Sequence, residues 1–290
     1  NMVYTEDSAP VQGFVHENEA AAAFAQLMAG RNITHDEPHE GKITFRASAN
    51  GLFRVNRAKL TRFNLVPDVM CATRHSHTVA LEGKAMAGTR AIPLYISSSV
   101  LDQALDVLAG DPLFDVHPFR PRPVGILVTG TEVFQGIIED RFAPIISSKV
   151  AAFGCELAGV EIAPDDTEAI ADAAGKLLDA GAELLVTTAG LSVDPGDVTR
   201  QGLMQAGLKD YLYGAPVLPG TMSLIGDMGR AQVMGVPACA LFFKTTAFDL
   251  LLPRILADQE ITRADLARLA EGGLCMSCRS CTFPKCPFGK

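Results

Sequence analysis

The sequence lacks any apolar run long enough to span a bilayer. Its hydrophobic stretches are short and broken by glycine, proline or charge, well under the roughly 20 residues that a crossing helix needs. It also lacks a basic-then-apolar leader: Asn1 to Gly30 carry Glu6, Asp7, Glu17 and Glu19 instead. Positive charge is not in excess either, with 25 basic against 33 acidic side chains and a net charge of −8. A nucleic-acid binder of the usual electrostatic kind is thereby excluded. No internal repeat is visible. The 290 residues that remain are 48% hydrophobic and 20% charged, a composition for a globular protein of about two domains. The opening Asn1-Met2 reads as a cloning remnant or as a start inside a longer chain. Seven cysteines are present, four of them in the last sixteen residues. Cys71, Cys155 and Cys239 sit singly among apolar neighbours, as reduced cysteines of a cytoplasmic protein do.

Rhythm along the chain divides it. Glu17 to Gly30 reads as a helix of strong formers ending at glycine. Short apolar runs from Lys42 to Ile96, punctuated by Gly41, Gly51, Gly83 and Gly88, suggest a small β-rich unit. Ser98 to Ala109 closes it as a second helix. A stiff connector, Pro118-Phe119-Arg120-Pro121-Arg122-Pro123, follows. Beyond it strand, loop and helix alternate. Val124–Thr129 and Ala182–Thr188 are continuous apolar runs of the kind buried in a parallel sheet, with Glu156–Ala163 and Ala231–Val236 as further strands. Asp140–Phe153 carries one apolar helical stripe. Pro164 to Glu168 opens another helix, with Asp165 and Glu168 at capping-box spacing. Ala247–Ala257 and Thr262–Ala270 read as late helices. The fold class is α/β. A β-rich N-terminal domain (1–120) precedes a three-layer α/β/α domain (121–258), and a helix with a cysteine-rich tail (259–290) follows. Residues 121–258 carry 9 basic and 17 acidic side chains, nearly all the acidic excess. A phosphorylated ligand there needs backbone amides, a metal ion or a few placed cations.

In such a domain, ligands bind beyond the carboxyl ends of the parallel strands. Two loops leave strands there: Thr129-Gly130-Thr131-Glu132-Val133, and Thr188 through Gly190, Leu191 and Ser192 to Asp197. Both combine small residues, which let an anion reach the backbone, with hydroxyls and a carboxylate. Neither is a P-loop and neither carries GxGxxG, so each alone also reads as a sharp turn. A third segment, Tyr213 to Thr221, contains the Pro219-Gly220 pair.

Together the three resemble the molybdopterin-binding domain shared by the molybdopterin adenylyltransferase and the molybdenum insertase of cofactor biosynthesis. Its patterns are T-G-[DST]-E after one strand, T-T-G-G-x-S-x-G-x-x-D after another, and a late Pro-Gly followed by a further glycine. Here these read Thr129 to Glu132, Thr187 to Asp197, and Pro219 to Gly226. The resemblance covers roughly 122–257. It implies that the pterin phosphate rests on Thr129, Gly130, Thr131, Thr188, Gly190, Ser192, Pro219 and Gly220. Glu132 and Asp197 become the candidate catalytic carboxylates, suited to Mg²⁺ or to handling molybdate or tungstate. The implied partner is molybdopterin or its adenylylated form, in molybdenum or tungsten cofactor biosynthesis or delivery, with self-association of the chain. An insertase-like or adenylyltransferase-like transferase, a non-catalytic carrier or metal or redox sensor, and a related nucleotide-processing hydrolase all remain open. The sequence departs from the pattern in Ala189, in Asp194-Pro195, and in Val236-Pro237-Ala238-Cys239-Ala240-Leu241-Phe242, where the insertase-like stretch has Leu-Pro-Gly-Asn-Pro-Val-Ser. The lost Gly-Asn-Pro counts against metal insertion and leaves pterin binding intact.

Two signals stand apart. His75 and His77 share a face if Arg74–Thr78 is a strand. The tail reads Cys275-x2-Cys278-x2-Cys281-x4-Cys286-Pro287, one residue away from the bacterial ferredoxin run. Four thiolates so placed suit an Fe–S cluster or Zn²⁺, or pair as disulfides.

Overall fold

A computed structural model describes residues 12–188, 190–191 and 198–290. Two compact units divide the chain, one ending at Phe119 and the other starting at Arg120. No helix of the described residues is long and apolar enough to cross a membrane.

The first unit is β-rich, with three small antiparallel sheets among its described residues. The largest orders its strands Ile33–His35, Lys42–Ala47, Ala85–Ala91 and Val69–Thr73. Helices Glu17–Met28, Arg57–Asn64 and Ser98–Leu108 accompany them. Phe24, Phe45, Phe53, Phe63 and Phe114 fill one core. Phe24 meets Phe63, and Phe45 meets Phe114, edge to face, the arrangement that ring quadrupoles favour. Cys71 is buried in this core, and burial pushes its thiol from 9.0 up to about 12. The His75–His77 segment is a turn between strands, not a strand. Ser76 Oγ accepts from the Val55 amide at 3.1 Å and His77 takes a φ of +68°, so the two imidazoles share no strand face.

The second unit is a three-layer sandwich. Its strands are β1 (Val124–Thr129), β2 (Leu157–Ala163), β3 (Leu184–Thr188), β4 (Lys209–Tyr213), β5 (Leu224–Met228) and β6 (Ala231–Val236). Its helices are α1 (Thr131–Phe134), α2 (Phe142–Ala151), α3 (Thr167–Asp179), α4 (Thr199–Gln205), α5 (Ala247–Leu256) and α6 (Arg263–Ala267). The sheet runs β2-β1-β3-β6-β5-β4, with β2, β1, β3 and β6 paired in parallel and the β6–β5 and β5–β4 pairs antiparallel. Side chains alternate across it. Leu127, Leu185 and Val233 face Ile170 and Leu177 of α3 and Leu203 of α4. Ile126, Val128, Val186 and Met234, of opposite parity, are also fully buried, because α2 and α5 cover that side. Lys149 of α2 pairs with Asp249 of α5 at 2.5 Å, and Asp249 also completes a capping box with Thr246.

Two expectations change here. The hairpin β4–β5 extends the sheet by two strands that the apolar pattern does not announce, since β4 reads Lys-Asp-Tyr-Leu-Tyr and lies at an edge. Asp166, not Asp165, caps α3, accepting from the Ala169 amide at 2.9 Å. Asp165 turns instead to the loop after β1.

The segment 259–290 packs on this second unit. Leu274 bridges Leu218, the Cys275 amide donates to Leu218 O at 2.8 Å, and Gly289 N donates to Gly272 O at 2.9 Å.

Candidate functional site

The parallel strands β1, β3 and β6 end on one edge of the sheet, where the sequence places its loops. Thr129, the last residue of β1, is buried. Its hydroxyl donates to Thr188 O of β3 at 2.9 Å and pairs with the Thr199 hydroxyl at 2.9 Å. Thr129 therefore ties the two loop-bearing strands to the start of α4 rather than presenting its hydroxyl outward. Gly190 lies directly over this knot. Its φ is +57°, and a Cβ there would fall 2.0 Å from Thr199 Oγ1 and 3.1 Å from Thr129 Oγ1. Only glycine fits, by conformation and by space. Leu191 is buried, and its carbonyl accepts from the Tyr213 hydroxyl, which anchors this residue to β4.

The loop after β1 is held differently. Gly130 N donates to Ala163 O at 3.0 Å. The Thr131 amide and hydroxyl both donate to Asp165 Oδ2, at 2.9 and 3.1 Å, while Thr131 Oγ1 accepts from Asp165 N at 3.1 Å. A carboxylate thus already occupies the donors at the start of α1. Glu132 follows on the exposed surface of α1. Thr187 and Thr188 are fully buried, and their hydroxyls have no partner among the described residues, an expensive state for a buried polar atom. Ser192 and Asp197 lie outside the described residues.

The third segment closes on α5. Pro219 O accepts from the Ala247 amide at 3.0 Å. Gly220 has a φ of +121°, and a Cβ on it would come 2.6 Å from both the amide nitrogen and Cβ of Ala247. The backbone of the Pro-Gly pair therefore lies flat against the first turn of the helix. Ser223 Oγ donates to Gly220 O at 2.7 Å and fixes the turn from behind.

Gly190, the Leu218–Met222 segment, the Pro237–Cys239 turn after β6 and the Leu274–Ser277 segment line one cleft of about 740 Å³. Among the described residues no charged side chain lines it. Its walls are apolar, with Thr221 and Ser277 hydroxyls and the Cys239 and Cys275 thiols among them. Burial pushes the Cys239 thiol up, against the opposing effect of a backbone hydrogen bond. Leu218, Phe243 and Leu274 of the lining are substantially exposed, and exposed apolar surface gathered at one place marks a binding face.

Of the candidate residues, Gly190, Pro219 and Gly220 line the cleft. Thr129 and Thr188 lie beneath it, Gly130 and Thr131 belong to the neighbouring β1 loop, and Glu132 is not among the described lining. Thr199, Phe243 and Cys239 are site residues that the sequence motifs do not single out. Cys239 has a usable signal, since it stands inside the stretch that replaces Gly-Asn-Pro. The four tail cysteines are all free. Among the described residues no three His, Cys, Asp or Glu side chains converge tightly enough to hold a single metal ion. The Thr245 hydroxyl, 3.4 Å from Cys281 Sγ, and the Phe283 backbone hold the Cys281 thiol below its ordinary value.

A three-layer α/β unit with glycine-bearing loops and an uncharged cleft at the carboxyl edge of its sheet has the doubly wound architecture, whose clefts at this edge are where small ligands bind in general. Residues 125–257 match the family described as "Probable molybdopterin binding domain". A CinA-like protein of Mycobacterium avium (strain 104) is 39% identical over 75 residues, which are 26% of this chain and 17% of the relative. The match thus spans about a sixth of that relative's length. Among solved structures, the molybdopterin biosynthesis enzyme MoaB of Thermus thermophilus is 22% identical. It covers 46% of this chain and 91% of its own, with a TM-score of 0.41. The molybdopterin biosynthesis MoeA protein of Pyrococcus horikoshii is 15% identical, covering 84% of this chain and 79% of its own, with a TM-score of 0.40.

Proposed function

We propose that the second unit binds molybdopterin, free or adenylylated, in the cleft at the carboxyl edge of its sheet, and that the chain serves molybdenum or tungsten cofactor biosynthesis or delivery. One observation carries the reading. The two glycines matched to the family's loops, Gly190 and Gly220, have no room for a side chain and bring bare backbone to one apolar cleft. A flat heterocycle gains from burial between the apolar walls, at roughly 25 cal/mol per Å² of apolar surface covered. A terminal phosphate is left to backbone amides, since the described lining holds no cation. An anion taking the Thr131 donors displaces the Asp165 carboxylate that already uses them. Glu132 and Asp197 are assigned to cation or oxyanion handling at the loops, with Mg²⁺ as the fitting cation, rather than to phosphate contact.

The test is a calorimetric titration of the full chain with molybdopterin, its adenylylated form, and AMP as control. Saturable binding of a pterin with AMP failing to compete is the expected result. AMP binding as well as the pterins, or no pterin binding at all, overturns the reading and favours a nucleotide-processing role. Glu132→Ala and Asp197→Ala separate enzyme from carrier: an enzyme loses cofactor formation in both while keeping pterin affinity, and a carrier changes neither.

A further inference from the structure

All four cysteines of the tail line one hollow. Cys275, Cys278, Cys281 and Cys286 surround a space of about 370 Å³ on the second unit. Among the described residues no three such side chains converge on one ion position. A polynuclear cluster is held by thiolates standing around a body of iron and sulfide.

Charge and covering point the same way. Lys244 and Arg279 line the hollow, and among the described residues no carboxylate does, so its field favours an anionic occupant. An iron–sulfur cluster ligated by four thiolates is anionic. Phe283 and the buried Phe288 stand among the lining and meet edge to face, an apolar wall of the sort that tunes a cluster's surroundings. The Thr245 hydroxyl reaches Cys281 Sγ, and hydrogen bonds to ligand sulfurs are one of the means by which a protein sets a cluster's properties. The spacing Cys-x2-Cys-x2-Cys-x4-Cys-Pro supplies the four ligands from one short loop.

We propose that this hollow is an iron–sulfur cluster site, with Cys275, Cys278, Cys281 and Cys286 as its four thiolate ligands. Each thiol gives up its proton, and its sulfur takes one coordination position on an iron. Cys275 lines both the hollow and the ligand cleft, so the cluster stands beside the bound ligand and orders the Leu274–Ser277 wall of its cleft. The assignment does not depend on which ligand the cleft takes.

The experiment is anaerobic purification of the full chain, followed by iron, zinc and acid-labile sulfide analysis and visible spectroscopy. About four irons and four sulfides per chain are expected, for a cubane cluster, with a broad visible absorption that bleaches on reduction. Cys281→Ser and Cys286→Ser each lose more than half of the iron, while Cys155→Ala, buried elsewhere in the unit, keeps it. Circular dichroism and thermal unfolding of the variants show whether they are folded. The wild-type metal content stands as a readout independent of them. Stoichiometric zinc without sulfide overturns the proposal, as does wild-type protein with neither metal nor sulfide, or iron that survives both serine variants. Pterin titration of the same preparation reports separately on the cleft.

Discussion

The glycine-built edge of the sheet and the thiol-lined hollow beside it are neighbours made in opposite ways. At the sheet edge the two described cleft glycines have no room to spare. Gly190 lies on Thr199, Gly220 lies on Ala247, and buried hydroxyls tie strand to strand. At the hollow the chain runs in short turns, its cysteines half or fully exposed, around open space. The first is shaped by what cannot be added, and the second by what remains to be filled. A fixed binding surface demands the one, and a site completed by its occupant can use the other.

That contrast sets the expected sizes of substitution effects. Gly220→Val forces a Cβ into the Ala247 backbone at a left-handed φ and should cost about 3 kcal/mol of stability, measured by urea unfolding, with loss of pterin binding. A loss below 1 kcal/mol would mean that the edge is as accommodating as the hollow. Comparable in size at strongly alkaline pH is an effect that separates buried from exposed thiols. The Cys71 thiol, raised to about 12 by burial, stays protonated in the fold while an unfolded chain ionises it above about pH 9. Its contribution is therefore whole below pH 9 and lost between about pH 9 and 12, at about 1.4 kcal/mol per pH unit. Cys71→Ala costs stability at pH 7 by leaving a small void, and its deficit against wild type should shrink as pH rises through that window. A constant deficit would place Cys71 in contact with solvent. Thr199→Val, which removes the hydroxyl beneath Gly190, should cost about 1 kcal/mol in the same unfolding assay. Smallest is Arg279→Ala at the rim of the hollow, expected within about 0.5 kcal/mol in the metal-free chain. A larger loss would show that the tail is held by its own contacts and not by an occupant.

The β-rich first unit, the sandwich and its four parallel strands are legible in the sequence because they rest on local patterns. Continuous apolar runs report burial on both sheet faces, and stripes at helical spacing report one covered side. Val124–Thr129 and Ala231–Val236 need no tertiary knowledge to be read as strands. The β4–β5 hairpin is not legible, since an edge strand such as Lys209–Tyr213 is half solvated and need not be apolar. His75 and His77 resemble a strand pair because a turn residue at positive φ leaves no mark in an alternating pattern. Asp165 and Asp166 compete for one cap, and only the distance to Thr131, 34 residues away, settles which of them caps α3.

The site divides along the same line. Sequence alone determined that small residues and hydroxyls follow two buried strands, that a Pro-Gly pair comes later, and that four cysteines cluster in the last sixteen residues. Those are facts of order and spacing, which survive without a fold. Only the tertiary structure decided that Gly190 and Gly220 face one cleft, that Thr129 and Thr199 support it from below, and that Cys239 and Cys275 join its walls. It also decided that the four tail thiols ring a hollow beside that cleft. Such neighbours are tens of residues apart in the chain, so their meeting is set by the stacking of strands and helices and by which donors each backbone group finds in space.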